Sequence, residues 1–318
     1  MRILVTGGAG FIGSNLVERL LQDKRITAVR VLDNLATGSR KNIEPYFTDP
    51  KFEFTEGDIR DYTTCLTACE GMDIISHQAA LGSVPRSIND PLTTNEVNIT
   101  GTLHVFTAAK EKKIKRVIYA ASSSTYGDHP GLPKVEETIG NPLSPYAVTK
   151  YVNELYARVY SSLYGMEFIG LRYFNIFGPR QNPNGPYAAV IPIFAAALLT
   201  DKAPTINGDG QHSRDFTYVG NAVQANLLSL FTTRKEAVNQ VYNIACGQKT
   251  SLLQLFEGLR KEAGTLLQPL HGPERQGDVK HSLADISKAE QLLGYTPAVS
   301  VEEGLKKTFQ WYKEAHYV

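Results

Sequence analysis

The strongest constraint on this chain lies at its start, where the largely apolar run Arg2–Thr6 gives way to Gly7-Gly8-Ala9-Gly10-Phe11-Ile12-Gly13 and then to a helical window. Missing side chains let the backbone turn tightly, approach a pyrophosphate and pack the helix against a sheet. The helix N-terminus adds unpaired N–H groups and a positive dipole end. Asp33 ends the second predicted strand at the spacing, about 20 residues past the last glycine, where a carboxylate reaches both ribose hydroxyls. Strand, glycine turn, helix and acid together point to a dinucleotide. A carboxylate at that position would face the 2′-phosphate of NADP, so the expected cofactor is NAD. Arg30, Arg40 and Lys41 nearby soften that charge argument.

Apolar β-rich runs then alternate with amphipathic helical windows, as when crossover helices cover both faces of a parallel sheet. The spacing predicts strands over 2–6, 29–33, 52–56, 72–77, 116–122 and 167–172, and helices over 11–22, 61–69, 91–112 and 144–164. That is an α/β doubly wound, Rossmann core. After Phe174 the prolines at 179, 183, 186, 192 and 204 punctuate the chain, and loops are expected there. Helices resume over 220–233, 251–263, 286–293 and 301–315, with a strand over 240–245. The expected division is a nucleotide-binding part, 1–175, and a smaller mixed α/β substrate part, 176–318, with some elements crossing between them.

The 33 Lys and Arg balance 32 Asp and Glu for a net charge of +1, with no block of like charge. Nucleic acid is therefore not an expected partner. The longest apolar stretches fall short of the roughly 18–20 residues that span a bilayer, so no membrane association is expected. Cys65 and Cys69 have no histidine near them and Cys246 lies far off, so neither a disulfide framework nor a zinc knuckle is indicated, and the expectation is inert thiols in a reducing cytoplasm.

Later strand ends fit the same cofactor. Asp58 and Ile59 follow the third strand and would hold the adenine edge and face. Gln78, Ala79 and Ala80 follow the fourth, where small residues let the backbone pass close to the pyrophosphate. The fifth strand ends in Ser122-Ser123-Ser124, and Tyr146 and Lys150 are four apart on a helix, hence on one face. An ammonium beside a phenol, joined by the charge of an oxidised nicotinamide, lowers a pKa that is otherwise about 10 and makes the phenol a usable base. A strand-end serine can share the same proton.

These residues resemble those of the extended short-chain dehydrogenase/reductases, and within that superfamily the UDP-sugar 4-epimerases, along nearly the whole chain. The resemblance rests on Thr6-Gly7-x-x-Gly10-x-x-Gly13, Asp33-Asn34-x-x-Thr37-Gly38, Asp58-Ile59, Asn98-x-x-Gly101-Thr102, the serine strand end, Tyr146-x-x-x-Lys150 and Arg172-Tyr173-Phe174-Asn175. It adds Asn34, Thr37, Gly38, Asn98 and Tyr173 to the expected cofactor residues. It implies that Tyr146 takes the sugar 4-hydroxyl proton through Ser122 while carbon 4 gives its hydride to the nicotinamide, that the keto sugar turns over, and that hydride returns to its other face. Lys150 would position the nicotinamide ribose. No metal is implied. A dehydratase would carry an Asp-Glu pair where Ser123 and Ser124 stand.

The same resemblance assigns the UDP part to Asn175, Ala189, Val190, Asn207, Arg214, Arg275 and Asp278. The two arginines suit phosphate oxygens and Asp278 suits ribose hydroxyls. Ser83 and Ser282 lie in segments like those of epimerases that prefer N-acetylated sugars. Related enzymes restricted to non-acetylated sugars carry tyrosine at the position of Ser282, and a small residue there leaves room for the acetamido group. The implied substrates are UDP-N-acetylglucosamine and UDP-N-acetylgalactosamine, with UDP-glucose and UDP-galactose also open, and the implied assembly is a homodimer through the helices over 91–112 and 144–164. A nucleotide-sugar dehydratase or dehydrogenase, or a non-catalytic NAD-binding protein, remain the other readings.

Overall fold

Strands that are apolar on both faces need cover on both faces, and the chain order supplies it. The structure, a computed structural model, describes residues 1–184, 188–273 and 281–315. Six strands alternate with helices: β1 (Arg2–Thr6), β2 (Ala28–Asp33), β3 (Phe52–Glu56), β4 (Ile74–His77), β5 (Arg116–Ser122) and β6 (Glu167–Tyr173). Short strands follow, β7 (Ile176–Phe177), β8 (Thr205–Asn207), β9 (Ser213–Arg214) and β10 (Thr217–Tyr218), then β11 (Gln240–Ile244), β12 (Thr250–Ser251) and β13 (Leu270–Gly272). The central sheet runs β11-β6-β5-β4-β1-β2-β3 with every pairing parallel. Its order reverses between β1 and β4, and that switch point opens a crevice at the strand C-termini.

One face is covered by α1 (Phe11–Leu21), whose Leu16 and Val17 join Ala222 and Val223 of a later helix in a common core. The other is covered by α2 (Tyr62–Cys69), the segment from α3 (Val84–Asn89) through α4 (Pro91–Asn95) to α5 (Thr102–Glu111), and α6 (Pro145–Tyr164). Cys65, Phe106 and Ala157 meet there. Burial pushes the Cys65 and Cys69 thiols up to about 12, as expected of inert cysteines. α6 begins where the sequence says it should: Ser144 accepts from the Ala147 N–H at 3.1 Å, and Pro145 takes the first turn, where no backbone donor is needed. Gly165, at φ 63°, closes it.

Two features depart from expectation, and a third gives form to the expected crossing of elements between the two parts. The helix expected over 91–112 is broken by a π-helical turn, Glu96–Gly101, and α3 precedes it, capped by Ser83. The proline-rich stretch contains α7 (Val190–Leu199), because Pro192 lies in its first turn, where a missing N–H costs nothing. The chain also returns to the nucleotide part: α8 (Val219–Phe231) joins the core beside α1, and β11 extends the sheet next to β6. The remaining helices, α9 (Leu252–Ala263), α10 (Ser287–Leu293) and α11 (Val301–Glu314), complete the second half, α9 opening with a Ser251–Gln254 capping box. Phe194, Phe256 and Phe309 center a separate core there. Among the described residues no helix is long and apolar enough to cross a membrane.

Candidate active site

The crevice at the switch point, about 350 Å³, is lined by Gly7, Gly10, Phe11, Ile12 and Gly13 of the glycine loop, by Asp33, Asn34 and Thr37 after β2, by Asp58 and Ile59 after β3, and by Gln78, Ala79 and Ala80 after β4. The glycines are needed for space. Gly7 has φ 70°, and a Cβ there would lie 2.6 Å from the Ala79 nitrogen; one on Gly13 would lie 2.1 Å from the Gly7 carbonyl oxygen. Gly38 lies against the Ala9 and Gly10 backbone, where a Cβ would come within 2.8 Å of the Ala9 carbonyl carbon. Asp33 accepts from the Ala9 N–H at 2.9 Å and the Leu35 N–H at 2.8 Å, which fixes its carboxylate at the crevice wall. Burial pushes that carboxyl above its usual range while these amides oppose the shift.

Several expected contacts also have partners within the chain. Asp58 lines the crevice, but its oxygens are engaged by the Arg60 guanidinium, at 2.7 Å, and by the Asn34 amide, at 2.9 Å. The Arg60 hydrogen bond holds the acid down at about 2. Asn98 is fully buried behind the wall: its oxygen accepts from the Leu81 N–H at 2.8 Å and its amide donates to Thr149 Oγ1 at 3.1 Å. It shapes the loop after β4. Tyr173 likewise donates to Gln78 Oε1 at 3.1 Å, which makes it a support for a crevice residue. His77 is a core histidine between Thr6 and Thr102, and burial pushes it down to about 3.

At the end of β5, Ser122, Tyr146 and Lys150 come together. Burial raises the Tyr146 phenol, and a hydrogen bond with Ser122 pulls it back. Lys150 Nζ donates to the Ala120 carbonyl at 2.9 Å and lies 6.0 Å from the center of the Tyr146 ring. Only 3% of Lys150 is exposed, and burial pushes its ammonium down to about 8. The spacing argument expects the lysine to lower the phenol; in the chain alone burial prevails. Ser124 donates to Ser122 Oγ from its hydroxyl at 2.9 Å and from its N–H at 3.2 Å, so Ser122, Ser123 and Ser124 form one tight turn.

A second cavity, about 300 Å³, opens past β6. Asn175, Ala189, Val190, Asn207 and Arg214 line it, together with His212 and Phe216. The first five are expected substrate contacts, and the fold brings them to one cavity. Ser83 is the cap of α3, accepting from the Arg86 N–H at 3.2 Å. Ser282 is half-buried beside β9, its N–H donating to the Ser213 carbonyl at 3.1 Å. Arg275 and Asp278 lie outside the described residues.

Two buried groups have roles that the sequence pattern did not reveal. Asp215, within the segment expected to hold UDP, points inward instead: its carboxylate accepts from the Cys246, Gly247 and Ala284 N–H groups at 2.9, 3.1 and 3.2 Å. It ties the loop after β11 to the segment carrying Ser282, and burial pushes it up to about 6. Glu154, one turn beyond Lys150, makes a bidentate pair with Arg172 at 2.9 and 2.7 Å. Neither acid has a local sequence signature, since its partners are distant in the chain.

The chain matches the family described as NAD dependent epimerase/dehydratase over residues 3–245. The UDP-glucose 4-epimerase of Mycolicibacterium smegmatis is 37% identical over 315 residues, covering 98% of this chain and 99% of the relative. Among solved structures, the UDP-glucose 4-epimerase of Thermotoga maritima, with UDP-glucose, has a TM-score of 0.92 at 36% identity, covering 99% of this chain and 100% of that one. The UDP-N-acetylglucosamine 4-epimerase of Methanobrevibacter ruminantium, in complex with UDP-N-acetylmuramic acid, also has a TM-score of 0.92, at 39% identity, covering 99% and 98%.

Proposed function

This chain belongs to the NAD dependent epimerase/dehydratase family, and from that premise we propose that it is a UDP-sugar 4-epimerase that interconverts UDP-N-acetylglucosamine and UDP-N-acetylgalactosamine. The order of the strands carries this reading. β5, which ends in Ser122, lies between β4, whose end lines the dinucleotide crevice, and β6, whose end opens on the second cavity. A base placed there meets a nucleotide on one side and a sugar nucleotide on the other.

The glycine cradle and Asp33 suit NAD, which when bound accepts the hydride from carbon 4 and returns it. The chain's own residues handle the proton. Ser122 contacts the sugar 4-hydroxyl and passes its proton to Tyr146; Lys150, held by the Ala120 carbonyl, supplies the positive charge that favors phenolate. Ser123 and Ser124 stand where a dehydratase needs acids, so nothing there protonates a leaving hydroxyl.

The acetamido preference rests on Ser282 and is supported by the relative that acts on UDP-N-acetylglucosamine. Incubating the purified protein separately with UDP-N-acetylglucosamine and UDP-glucose, and identifying products by proton NMR, tests both the reaction and the preference. Both 4-epimers are expected, the acetylated one faster. In Ser282→Tyr the acetylated rate falls roughly 10- to 100-fold while the UDP-glucose rate changes little. Equal losses on both substrates would remove Ser282 as the selector.

The partner is a second copy of the chain. On α6 the residues Val148, Leu155, Val159 and Leu163 are 45%, 39%, 48% and 67% exposed, while Ala147, Lys150, Glu154 and Ala157 face inward. That is an apolar stripe along the outer side of a helix, next to Leu92 of α4, which is 77% exposed. Light scattering should give twice the 35.1 kDa chain mass. A mass of 35.1 kDa, or an unchanged mass in Leu163→Lys with Val159→Lys, counts against this face.

A further inference from the structure

Beneath the wall of the dinucleotide crevice lies a closed ring of four polar side chains. Asn226, in the middle of α8, donates from Nδ2 to the Ala222 carbonyl at 2.8 Å and to the Tyr173 hydroxyl at 2.8 Å. Tyr173 donates to Gln78 Oε1 at 3.1 Å. Gln78 Nε2 donates to Ser76 Oγ at 3.0 Å and to Asn226 Oδ1 at 3.1 Å, and Ser76 donates to the same Oδ1 at 3.1 Å. Every side-chain N–H and O–H proton of the four residues thus has an acceptor.

The ring has a single direction. A carbonyl can only accept, so Ala222 forces the nitrogen of Asn226 toward itself and toward Tyr173, and each later bond follows from that choice. Reversing Asn226 would set its oxygen against the Ala222 carbonyl and its nitrogen against Gln78 Nε2, and reversing Gln78 would set its oxygen against Asn226 Oδ1, in a buried site where Ser76 and Asn226 are 0% exposed and Tyr173 is 9% exposed. Gln78 is the member that lines the crevice. Both of its N–H groups are consumed inside the ring, and what it has left is a lone pair on Oε1.

We propose that Asn226 is a positioning residue for cofactor binding: by fixing the Gln78 amide, it makes that wall of the crevice a hydrogen-bond acceptor. Such a wall selects a donor of the dinucleotide, a ribose hydroxyl or an amide N–H, and repels a phosphate oxygen. Asn226 comes from the second half of the chain, on the helix that packs beside α1. The inference rests on the reading of the crevice as the NAD site.

The test is a calorimetric titration of NAD into the NAD-free protein, with thermal denaturation of each variant run alongside. Asn226→Ala and Gln78→Leu should each weaken NAD about tenfold, the loss expected for one well-formed hydrogen bond. Because Asn226 acts through Gln78, the double variant should also lose about tenfold, where independent effects would multiply to about 100-fold. Tyr173→Phe keeps the ring's shape and removes only the hydroxyl, so it serves if Asn226→Ala does not fold; it too should weaken NAD in the Gln78 background and have no effect in Gln78→Leu. Multiplying losses, or wild-type affinity in Asn226→Ala or Tyr173→Phe, overturns the positioning role and leaves the cofactor reading intact. Absence of NAD binding by the unmodified protein overturns both.

Discussion

Tyr146→Phe should lower turnover on UDP-N-acetylglucosamine by roughly 10³-fold or more, the scale of a lost general base whose substitute cannot carry a proton. The phenol is the one group in the cluster suited to that work. Ser122 has no ordinary acidity in this pH range, and Lys150 Nζ is committed to the Ala120 carbonyl. The variant should fold normally, because phenylalanine fills the same space and loses only the hydrogen bond with Ser122, a matter of about 1 kcal/mol. The pH profile gives a second readout. Lys150 loses its charge as pH rises through about 8 in the cofactor-free chain, so its support for phenolate is present below that value and fades above it. Lys150→Met should therefore move the rise in activity toward alkaline pH. Measured kcat, NAD content and denaturation midpoints together decide the matter: a Tyr146→Phe protein with near-normal kcat would falsify the assignment.

The largest effect on stability should come from Glu154→Ala, at about 3–5 kcal/mol. Glu154 and Arg172 have side chains only 5% and 4% exposed, and their pair joins α6 to β6. Arg172 also donates to the Glu136 carbonyl at 3.0 Å and lies 4.8 Å from the center of the Tyr126 ring. Removing the carboxylate leaves a buried guanidinium without its paired counter-charge, and that desolvation penalty is the source of the loss. Two comparisons separate this cause from simple loss of packing. Glu154→Gln retains an acceptor and should cost less, and Glu154→Leu combined with Arg172→Met, which removes both charges, should recover most of the stability. Urea denaturation measures all three. A double variant as unstable as Glu154→Ala would show that packing, and not the unpaired charge, is responsible.

Much of the first half was legible because its signals are local. A glycine loop announces itself by composition, the parallel strands by continuous apolar runs, and α6 by its Ser-Pro start. The positions of Tyr146 and Lys150 on one helix face follow from their spacing alone. What escaped was anything decided by a distant partner. A run such as Gln240–Ile244 reads as a strand, but nothing in it says that it pairs with β6. Short strands of two residues, such as Ile176–Phe177, are too brief to show a period. α7 was hidden by proline, whose meaning depends on whether it falls in the first turn or later. Asn98 and Tyr173 are expected at the cofactor because they belong to recognizable motifs, while the partners that each of them bonds, the Leu81 N–H and Gln78, carry no mark in the sequence.

The return of the chain to its first sheet bears on how such an enzyme can be taken apart. β11 and α8 are donated to the nucleotide-binding core after the chain has already built β7 to β10 elsewhere. A fragment ending near residue 175 would lack the neighbor of β6 and the helices α8 and α10 that cover the sheet beside α1, so it would expose a bare sheet edge and an uncovered apolar surface. The cofactor crevice and the second cavity are therefore not separable cassettes. Exchanging the substrate half between relatives would exchange part of the cofactor half with it, and changes of sugar preference are better sought one residue at a time.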